Sequence, residues 1–299
     1  MTHLEYQKIL IPGGSGFIGN KLAKAWKLQG KEIIILTRGK EKLSDGILYL
    51  SWDGKSIPTL PWIPEVIVNL SGAGIADHPW TEAYKKTIWD SRMLSSRACK
   101  EFIQAHSNQV KLWVNSSAVG YYGASTETSA DENHLPGNDF QSKLAIAWEA
   151  ETQGVSIPVS RIRTGIVLGI EGGALPRLLP VFRLGIGGPL GGGHQPFPWI
   201  HAEDVVSSIQ FIVESSNPQG AWNLVAPEVI NNAKFSTTLA KVLNRPCLFG
   251  APGWAMRLFM GDRASLVLEG QKVIPTRLLQ EGFSFKYSSV KEALKDLVG

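Results

Sequence analysis

The run Asn115-Ser116-Ser117-Ala118-Val119-Gly120-Tyr121-Tyr122-Gly123 gathers serine hydroxyls and two phenols in one short stretch. A serine hydroxyl can orient a substrate oxygen and a phenol can deliver or remove its proton, so Ser117, Tyr121 and Tyr122 are candidate catalytic groups. Both tyrosines would serve equally well as pocket walls. His201, after Pro198-Trp199-Ile200, is a fourth candidate because imidazole changes charge near neutral pH. A structural hydrogen bond is its plainer role. Arg92 is either an anion contact or a buried ion-pair partner, and Glu149 is expected to cap or pair within the domain. No His, Asp or Glu group has the spacing of metal ligands, so no metal is expected.

A second chemistry is written near the start, in Lys8-Ile9-Leu10-Ile11-Pro12-Gly13-Gly14-Ser15-Gly16-Phe17-Ile18-Gly19. A short apolar run enters three glycines spaced three apart, and a helical pattern follows at once. Gly13 permits the tight turn, Gly16 lets the backbone approach a pyrophosphate, and Gly19 lets the helix pack closely on its strand. The helix N-terminus adds unpaired N–H groups and a partial positive charge. Gly13, Gly14, Ser15, Gly16, Phe17, Ile18 and Gly19 are therefore expected to bind the phosphates of a dinucleotide.

The base and ribose contacts follow from the next strands. An Asp or Glu about twenty residues beyond the glycines would bind the 2′-hydroxyl of NAD. This chain has Thr37-Arg38 there, with Lys40 close by. A guanidinium pairs with a 2′-phosphate in a two-pronged geometry, so the expected cofactor is NADP(H). Asp53, at the end of the third strand, is placed to reach the adenine amino group. Leu70, Ser71, Gly72 and Ala73 are expected to form a small-residue floor under the ribose and phosphates. Gly74 would extend a second glycine pattern, but Asp77 stands where its third glycine belongs. Ser116 and Thr164, at the ends of the fifth and sixth strands, complete the expected contacts.

The elements that must position these groups alternate. A helix is expected over Gly16–Gln29, then strands at Glu32–Thr37, Leu48–Trp52 and Val66–Leu70, and a long helix over Trp80–Ala105. A fifth strand at Leu112–Asn115, a helix over Phe140–Gln153 and a sixth strand at Val159–Arg163 follow. This alternation implies an α/β fold, a Rossmann doubly wound parallel sheet covered on both faces. Gly185–Gly193 holds six glycines without a strand–helix context and reads as a loop that could act as a lid. A helix over Ala202–Glu214 comes next, and helix and loop signals continue to the end. Residues 1–245 are taken as the dinucleotide-binding unit, with substrate-region insertions from about 170, and 246–299 as a small helical C-terminal domain.

Composition limits the possible functions. At 299 residues, with 43% hydrophobic and 19% charged, the chain is an ordinary globular one. Its net charge of +4 is dispersed, without a basic block, so no nucleic-acid partner is expected. Cys99 and Cys247 cannot make a disulfide framework, and no apolar run reaches the roughly 18 residues of a membrane span. With no signal-peptide pattern either, the expectation is a cytoplasmic protein with a small-molecule substrate and no membrane contact.

Taken together, the residues resemble the extended, epimerase-like branch of the short-chain dehydrogenase/reductase superfamily. Gly13–Gly19, Ser116-Ser117…Tyr122-Gly123 and Trp199-Ile200-His201-Ala202-Glu203-Asp204 carry the resemblance. The atypical "epimerase family protein" subgroup is indicated by Ser117–Gly123, Trp148-Glu149, Gly187-Gly188-Pro189-Leu190-Gly191 and Leu268-Glu269-Gly270-Gln271-Lys272-Val273. The last run resembles that subgroup's C-terminal domain of unknown function. The wider superfamily implies hydride transfer at nicotinamide, assisted by a Tyr, a Lys and a Ser, and its extended branch implies a homodimer.

Ser117 matches the serine. The Tyr-x-x-x-Lys dyad should open the helix after Asp139, where the chain reads Phe140-Gln141-Ser142-Lys143-Leu144. Phenylalanine has no proton to give, and Lys143 is one place short. The literal Tyr287 to Lys291 pair lies outside the required context. Two functions are thus open: an NADP(H)-dependent oxidoreductase or epimerase without the usual dyad, or a non-catalytic NADP(H)-binding regulator or scaffold.

Overall fold

The computed structural model describes residues 5–248 and 250–299, apart from the side chains of residues 125–127. β1 (Lys8–Pro12) passes through the glycine turn into α1 (Phe17–Leu28), and β2 (Glu32–Thr37) completes the first β-α-β unit. A hairpin of β3 (Lys42–Ser44) and β4 (Ile47–Ser51) leads to β5 (Val66–Asn69) and the long α2 (Glu82–Ala105). Next come β6 (Leu112–Ala118), β7 (Ser125–Ala130), α3 (Phe140–Ala150), β8 (Val159–Thr164), β9 (Ile166–Leu168) and α4 (Leu175–Arg183). β10 (Trp199–His201), α5 (Ala202–Glu214), β11 (Gly220–Leu224) and α6 (Asn232–Val242) follow. The C-terminal part holds α7 (Gly253–Met260), α8 (Ser265–Leu268), β12 (Gln271–Val273), α9 (Thr276–Gln280) and α10 (Val290–Val298).

The main sheet has eight strands in the order β11-β8-β6-β5-β1-β2-β4-β3. All pairings are parallel except β3 with β4. The strand order reverses between β1 and β5, which makes that junction the place for a ligand at the strands' C-terminal edge.

Side-chain alternation explains why both faces are covered. Ile9, Ile11, Ile33, Ile35, Val66, Val68, Leu112 and Val114 share one core with Leu22 and Trp26 of α1 and Ile209 of α5. Leu10, Ile34, Leu36, Ile67 and Trp113 point to the opposite face and pack with Ala98, Cys99 and Ile103 of α2. Successive strand residues alternate sides, so a strand buried on both reads as an unbroken apolar run. The two cysteines are free, Cys99 buried and Cys247 half-buried.

The structure departs from the sequence expectations at several ends. β4 covers Ile47–Ser51 instead of Leu48–Trp52, and β6 continues to Ala118, so Ser116 and Ser117 are strand residues. α3 stops at Ala150, well before Gln153. Beyond β8 the sheet gains β11, whose Gly220-Ala221-Trp222-Asn223-Leu224 has poor strand propensity. Its pairing with β8 from Gly220↔Ser160 to Leu224↔Thr164 decides its conformation.

The C-terminal residues bury their apolar side chains against earlier parts of the chain. Leu278 and Phe283 join the core between the sheet and α1 and α5. Tyr287, Val290, Ala293 and Leu294 share a second core with Leu168, Leu179, Trp199 and Phe235. The buried Asp204 carboxylate fastens this junction, accepting the N–H groups of Lys286 at 2.8 Å and Tyr287 at 3.0 Å. Among the described residues, no helix is long and apolar enough to cross a membrane, and no cluster of His, Cys, Asp and Glu could hold a metal ion.

Candidate functional site

The glycine turn sits at the switch point and has no room for side chains at Gly13, Gly14 and Gly19. Gly13 adopts φ +75°, and a Cβ there would lie 2.8 Å from Leu70 C and Ser71 Cα, at the exit of β5. A Cβ on Gly19 would lie 2.5 Å from Gly14 Cα, so α1 presses directly on the turn. Gly16 is freer: its Cβ would meet the Gly13 carbonyl at 3.3 Å. Gly16 is also the N-cap of α1, with no capping side chain and no acid in the first turn. The N–H groups of Gly13, Gly14 and Gly16 are spent on the carbonyls of Leu36, Ile11 and Gly13. The donors left to an incoming anion are those of the first helical turn, at Phe17 and Ile18, together with the helix's positive end.

Phe17 is covered from an unexpected direction. A side chain at Gly172 would strike the Phe17 ring at 2.5 Å, and Glu171 pairs with Lys21 of α1 at 2.8 Å. The connection from β9 to α4 therefore folds over the start of α1 and forms the outer wall of the cradle. Its glycines are spaced differently from the phosphate motif, and only their proximity to Phe17 in the fold reveals the role.

At the other end of the cleft, Ser15 Oγ and Thr37 Oγ1 are 2.9 Å apart, joining the turn to the end of β2. Thr37 Oγ1 also accepts the Gly39 N–H at 3.1 Å. Arg38 and Lys40 are exposed there, and Arg38 makes no ion pair among the described residues. Asp53 is exposed beyond β4 and accepts the Lys55 N–H at 2.8 Å, which holds its carboxylate at the strand end.

Leu70, Ser71, Gly72 and Ala73 leave β5 immediately beside Gly13. Leu70 N–H bonds Pro12 O at 2.9 Å, Ser71 N–H bonds Asn69 Oδ1 at 3.2 Å, and Ala73 N–H bonds Ser91 Oγ at 2.9 Å. Ser71 Oγ is buried without a hydrogen-bond partner among the described residues, a polar group the protein itself leaves unsatisfied. These residues fit a dinucleotide: a close backbone cradle, free donors and a small-residue floor meet along one edge.

The candidate proton-transfer groups lie at the ends of β6 and β8, and most are already engaged. Ser117 is buried and donates from Oγ to Glu149 Oε1 at 2.7 Å. Arg163 holds the same carboxylate through Nε at 2.7 Å and Nη2 at 2.9 Å. Its Nη1 donates to Tyr122 OH at 2.9 Å, and that phenol donates to Asn223 Oδ1 at 2.6 Å. Burial pushes the Tyr122 phenol up to about 12, against the pull of Arg163. Tyr121 differs. Its ring lies under the Arg163 guanidinium at 3.5 Å, it is half-buried, and its hydroxyl has no hydrogen-bond partner among the described residues. Ser116 and Thr164 are half-buried at the same edge.

The dyad position is filled differently. Asp139 caps α3 by accepting the Ser142 N–H at 2.8 Å, the Phe140 ring meets Trp80 edge-on at 5.2 Å, and Lys143 is exposed. Tyr287 is buried against the His201 ring at 3.9 Å, in the core beneath α10. His201 caps α5: its Nδ1 accepts the Glu203 N–H at 3.1 Å, and Nε2 lies 3.4 Å from Asp296. Burial holds its pKa below the ordinary histidine value. The Gly185–Gly193 loop is tied down, with Leu190 N–H on Asn232 Oδ1 at 2.8 Å and Gly191 N–H on Ala251 O at 2.8 Å.

The chain matches the family described as NAD dependent epimerase/dehydratase over residues 9–225, and a domain of unknown function, DUF1731, over residues 251–297. It is 35% identical over 297 residues to the epimerase family protein SDR39U1 of Mus musculus, covering 97% of this chain and 99% of that protein. It is 36% identical over 299 residues to the epimerase family protein SAB0724c of Staphylococcus aureus (strain bovine RF122 / ET3-1), covering 98% and 99% respectively. The crystal structure of human epimerase family protein SDR39U1 with NADPH superposes at a TM-score of 0.89 and 33% identity, over 97% of this chain and 98% of that one. The family match runs from β1 past β11 and so takes in the glycine cradle, the switch point and the Ser117 strand end: this chain belongs to the NAD dependent epimerase/dehydratase family.

Proposed function

We propose that this chain binds NADP(H) along the C-terminal edge of its sheet and uses it on a small polar substrate, as an oxidoreductase or epimerase. The observation that carries the reading is the uncapped, acid-free start of α1 behind a close-packed glycine turn, with Arg38, which has no ion-pair partner among the described residues, at the ribose end. The human relative solved with NADPH supports it. When bound, the nicotinamide supplies or accepts a hydride. In this reading Gly13, Gly14, Ser15, Gly16, Phe17, Ile18 and Gly19 hold the pyrophosphate. Thr37 and Arg38 take the 2′-phosphate, and Asp53 reaches the adenine. Leu70–Ala73 form the floor, and Ser116 and Thr164 line the nicotinamide end. Tyr121 is the proton donor, because its hydroxyl is uncommitted while Ser117 and Tyr122 are spent on Glu149 and Asn223. Those two positioning residues and Arg163 keep the Tyr121 ring in place.

A second reading, a regulator or scaffold that holds NADP(H) without turnover, draws on the same network. Ser117 lies in a bond to a buried carboxylate, where a substrate would have to displace Glu149. One experiment separates the two. NADPH and NADH are titrated calorimetrically, and then NADPH oxidation is followed over a panel of carbonyl compounds and sugar nucleotides. The enzymatic reading expects tighter NADPH binding and turnover that Tyr121→Phe abolishes while binding persists. NADPH binding with no turnover on any compound would leave the regulator, and equal affinity for both nucleotides would sink the cofactor assignment.

A further inference from the structure

Three arginines from distant segments converge on the loop leaving β5. Arg92 of α2 donates from Nη1 to the Ala73 carbonyl at 3.1 Å, and a Cβ on Gly72 would stand 3.3 Å from its guanidinium carbon. Arg177 of α4 approaches from across the cleft, with Nη1 on the Ala76 carbonyl and Nη2 on Asp77 Oδ1, each at 2.7 Å. Arg263, between α7 and α8, donates from Nη1 to the same Ala76 carbonyl at 3.2 Å, and its Nε–H is buried with no partner. Tyr84 donates its hydroxyl to Gly74 O at 2.6 Å within this group.

The charges here do not balance. Asp77, on Arg177, is the one carboxylate within ion-pair distance of any of the three among the described residues. Asp262, beside Arg263 in sequence, is taken by Lys85 at 2.8 Å, which also holds Glu82 at 3.1 Å. Three guanidinium groups against one carboxylate leave two formal positive charges (three minus one). Burial lowers the Arg92 pKa to about 10, the mark of a desolvated cation that no counterion compensates. Carbonyl bonds use only some of the five N–H groups on each guanidinium, and the Arg177 side chain remains 53% exposed. The cluster is therefore open to an incoming ligand.

We propose that Arg92, Arg177 and Arg263 form a subsite for a dianionic phosphoryl group on the substrate, next to the cofactor floor at Ser71–Ala73. A phosphoryl group carries about −1.5 to −2 charges at neutral pH, which matches the excess; a single carboxylate would leave one cation unmet. Guanidinium forks also suit its oxygens geometrically. The proposal rests on the reading that this cleft serves NADP(H)-dependent chemistry, since it assigns the anionic end of a molecule whose other end meets the nicotinamide.

The test titrates inorganic phosphate into NADPH-saturated protein at constant ionic strength, with chloride as the reference, and follows nucleotide fluorescence. Saturable binding is expected. Arg263→Gln weakens it roughly tenfold, Asp77→Asn tightens it by removing the lone carboxylate, and neither changes NADPH affinity. Phosphate acting no differently from chloride, or both variants binding it as the unchanged protein does, overturns the proposal. Weakened NADPH binding in Arg263→Gln assigns the arginines to the cofactor's own phosphates and overturns it too, with the NADP(H) reading intact. If NADPH fails to bind at all, that reading falls, and phosphate titrated into the protein alone still decides the subsite. Asp77→Asn, at a half-exposed side chain, carries the test should Arg263→Gln not fold.

Discussion

Ser117 Oγ lies 2.7 Å from Glu149 Oε1, and that carboxylate is clasped by Arg163 through two further bonds. The position where the superfamily keeps a substrate-facing hydroxyl is thus one end of a buried relay reaching to Asn223. Burial works against the Arg163 charge, but the Glu149 bonds outweigh it and hold the guanidinium firmly protonated. Glu149 is the centre of the relay, since its carboxylate both accepts the Ser117 hydroxyl and balances the buried Arg163 cation.

The relay predicts a graded set of stability losses. Ser117→Ala should cost about 1.5–3 kcal/mol, the range for a hydrogen bond to a charged group. Glu149→Ala should cost about 3–5 kcal/mol, because it strands the buried Arg163 charge. Urea unfolding of the variants measures both. Equal losses from the two substitutions would show that the carboxylate is not the centre of the relay.

The glycines separate folding from binding. Gly19→Ala forces a Cβ to 2.5 Å from Gly14 Cα, so it should damage both stability and nucleotide affinity. Gly16→Ala meets only the Gly13 carbonyl at 3.3 Å. It should lose about 1 kcal/mol of stability or less, on the scale of an N-cap change, while closing the pyrophosphate approach. Thermal unfolding and NADPH titration of each variant give the comparison.

Arg38→Ala should weaken NADPH by about 1–3 kcal/mol, as expected for a charged hydrogen-bonded contact, and leave NADH nearly unaffected. Calorimetric titration of both nucleotides checks it. An equal loss for both would place Arg38 on the adenine and away from the 2′-phosphate.

His201 predicts a loss of stability in mild acid. Burial depresses its folded-state pKa below the ordinary value, so the unfolded chain binds the proton more readily. Stability from this group is therefore complete above about pH 6.5, the unfolded value, and declines as pH falls below it. Glu203, Asp296 and Asp204 pull the other way, and Lys286 adds to the depression. His201→Asn keeps a side chain able to cap α5 and removes the titration, so its melting temperature should vary less between about pH 5 and 6.5. An unchanged pH slope would exclude His201 as the source.

The strand, glycine turn and helix were legible in the linear chain because they are local. They follow one another within Lys8–Leu28, and Gly13, Gly14 and Gly19 each answer a constraint set by neighbouring protein atoms. The same holds for the apolar strand runs and for the absence of a Tyr-x-x-x-Lys dyad at the start of α3. Proximity across the fold was not legible. Ser117 and Glu149 are 32 positions apart, and nothing in either segment says that β6 and α3 bring them together. Arg92, Arg177 and Arg263 come together because side chains of α2, α4 and the segment after α7 all reach the one loop that leaves β5. β11 escaped for a related reason, since its partner β8 imposes the strand on an unfavourable sequence. Local backbone chemistry, then, was decided by the sequence alone: where a strand turns through glycines into a helix, and which dyad is missing. The packing of distant side chains was decided by tertiary structure, because burial and pairing depend on which surfaces meet. That packing withdrew Ser117 and Tyr122 into a network, left the Tyr121 hydroxyl without a partner among the described residues, and brought three arginines onto one loop.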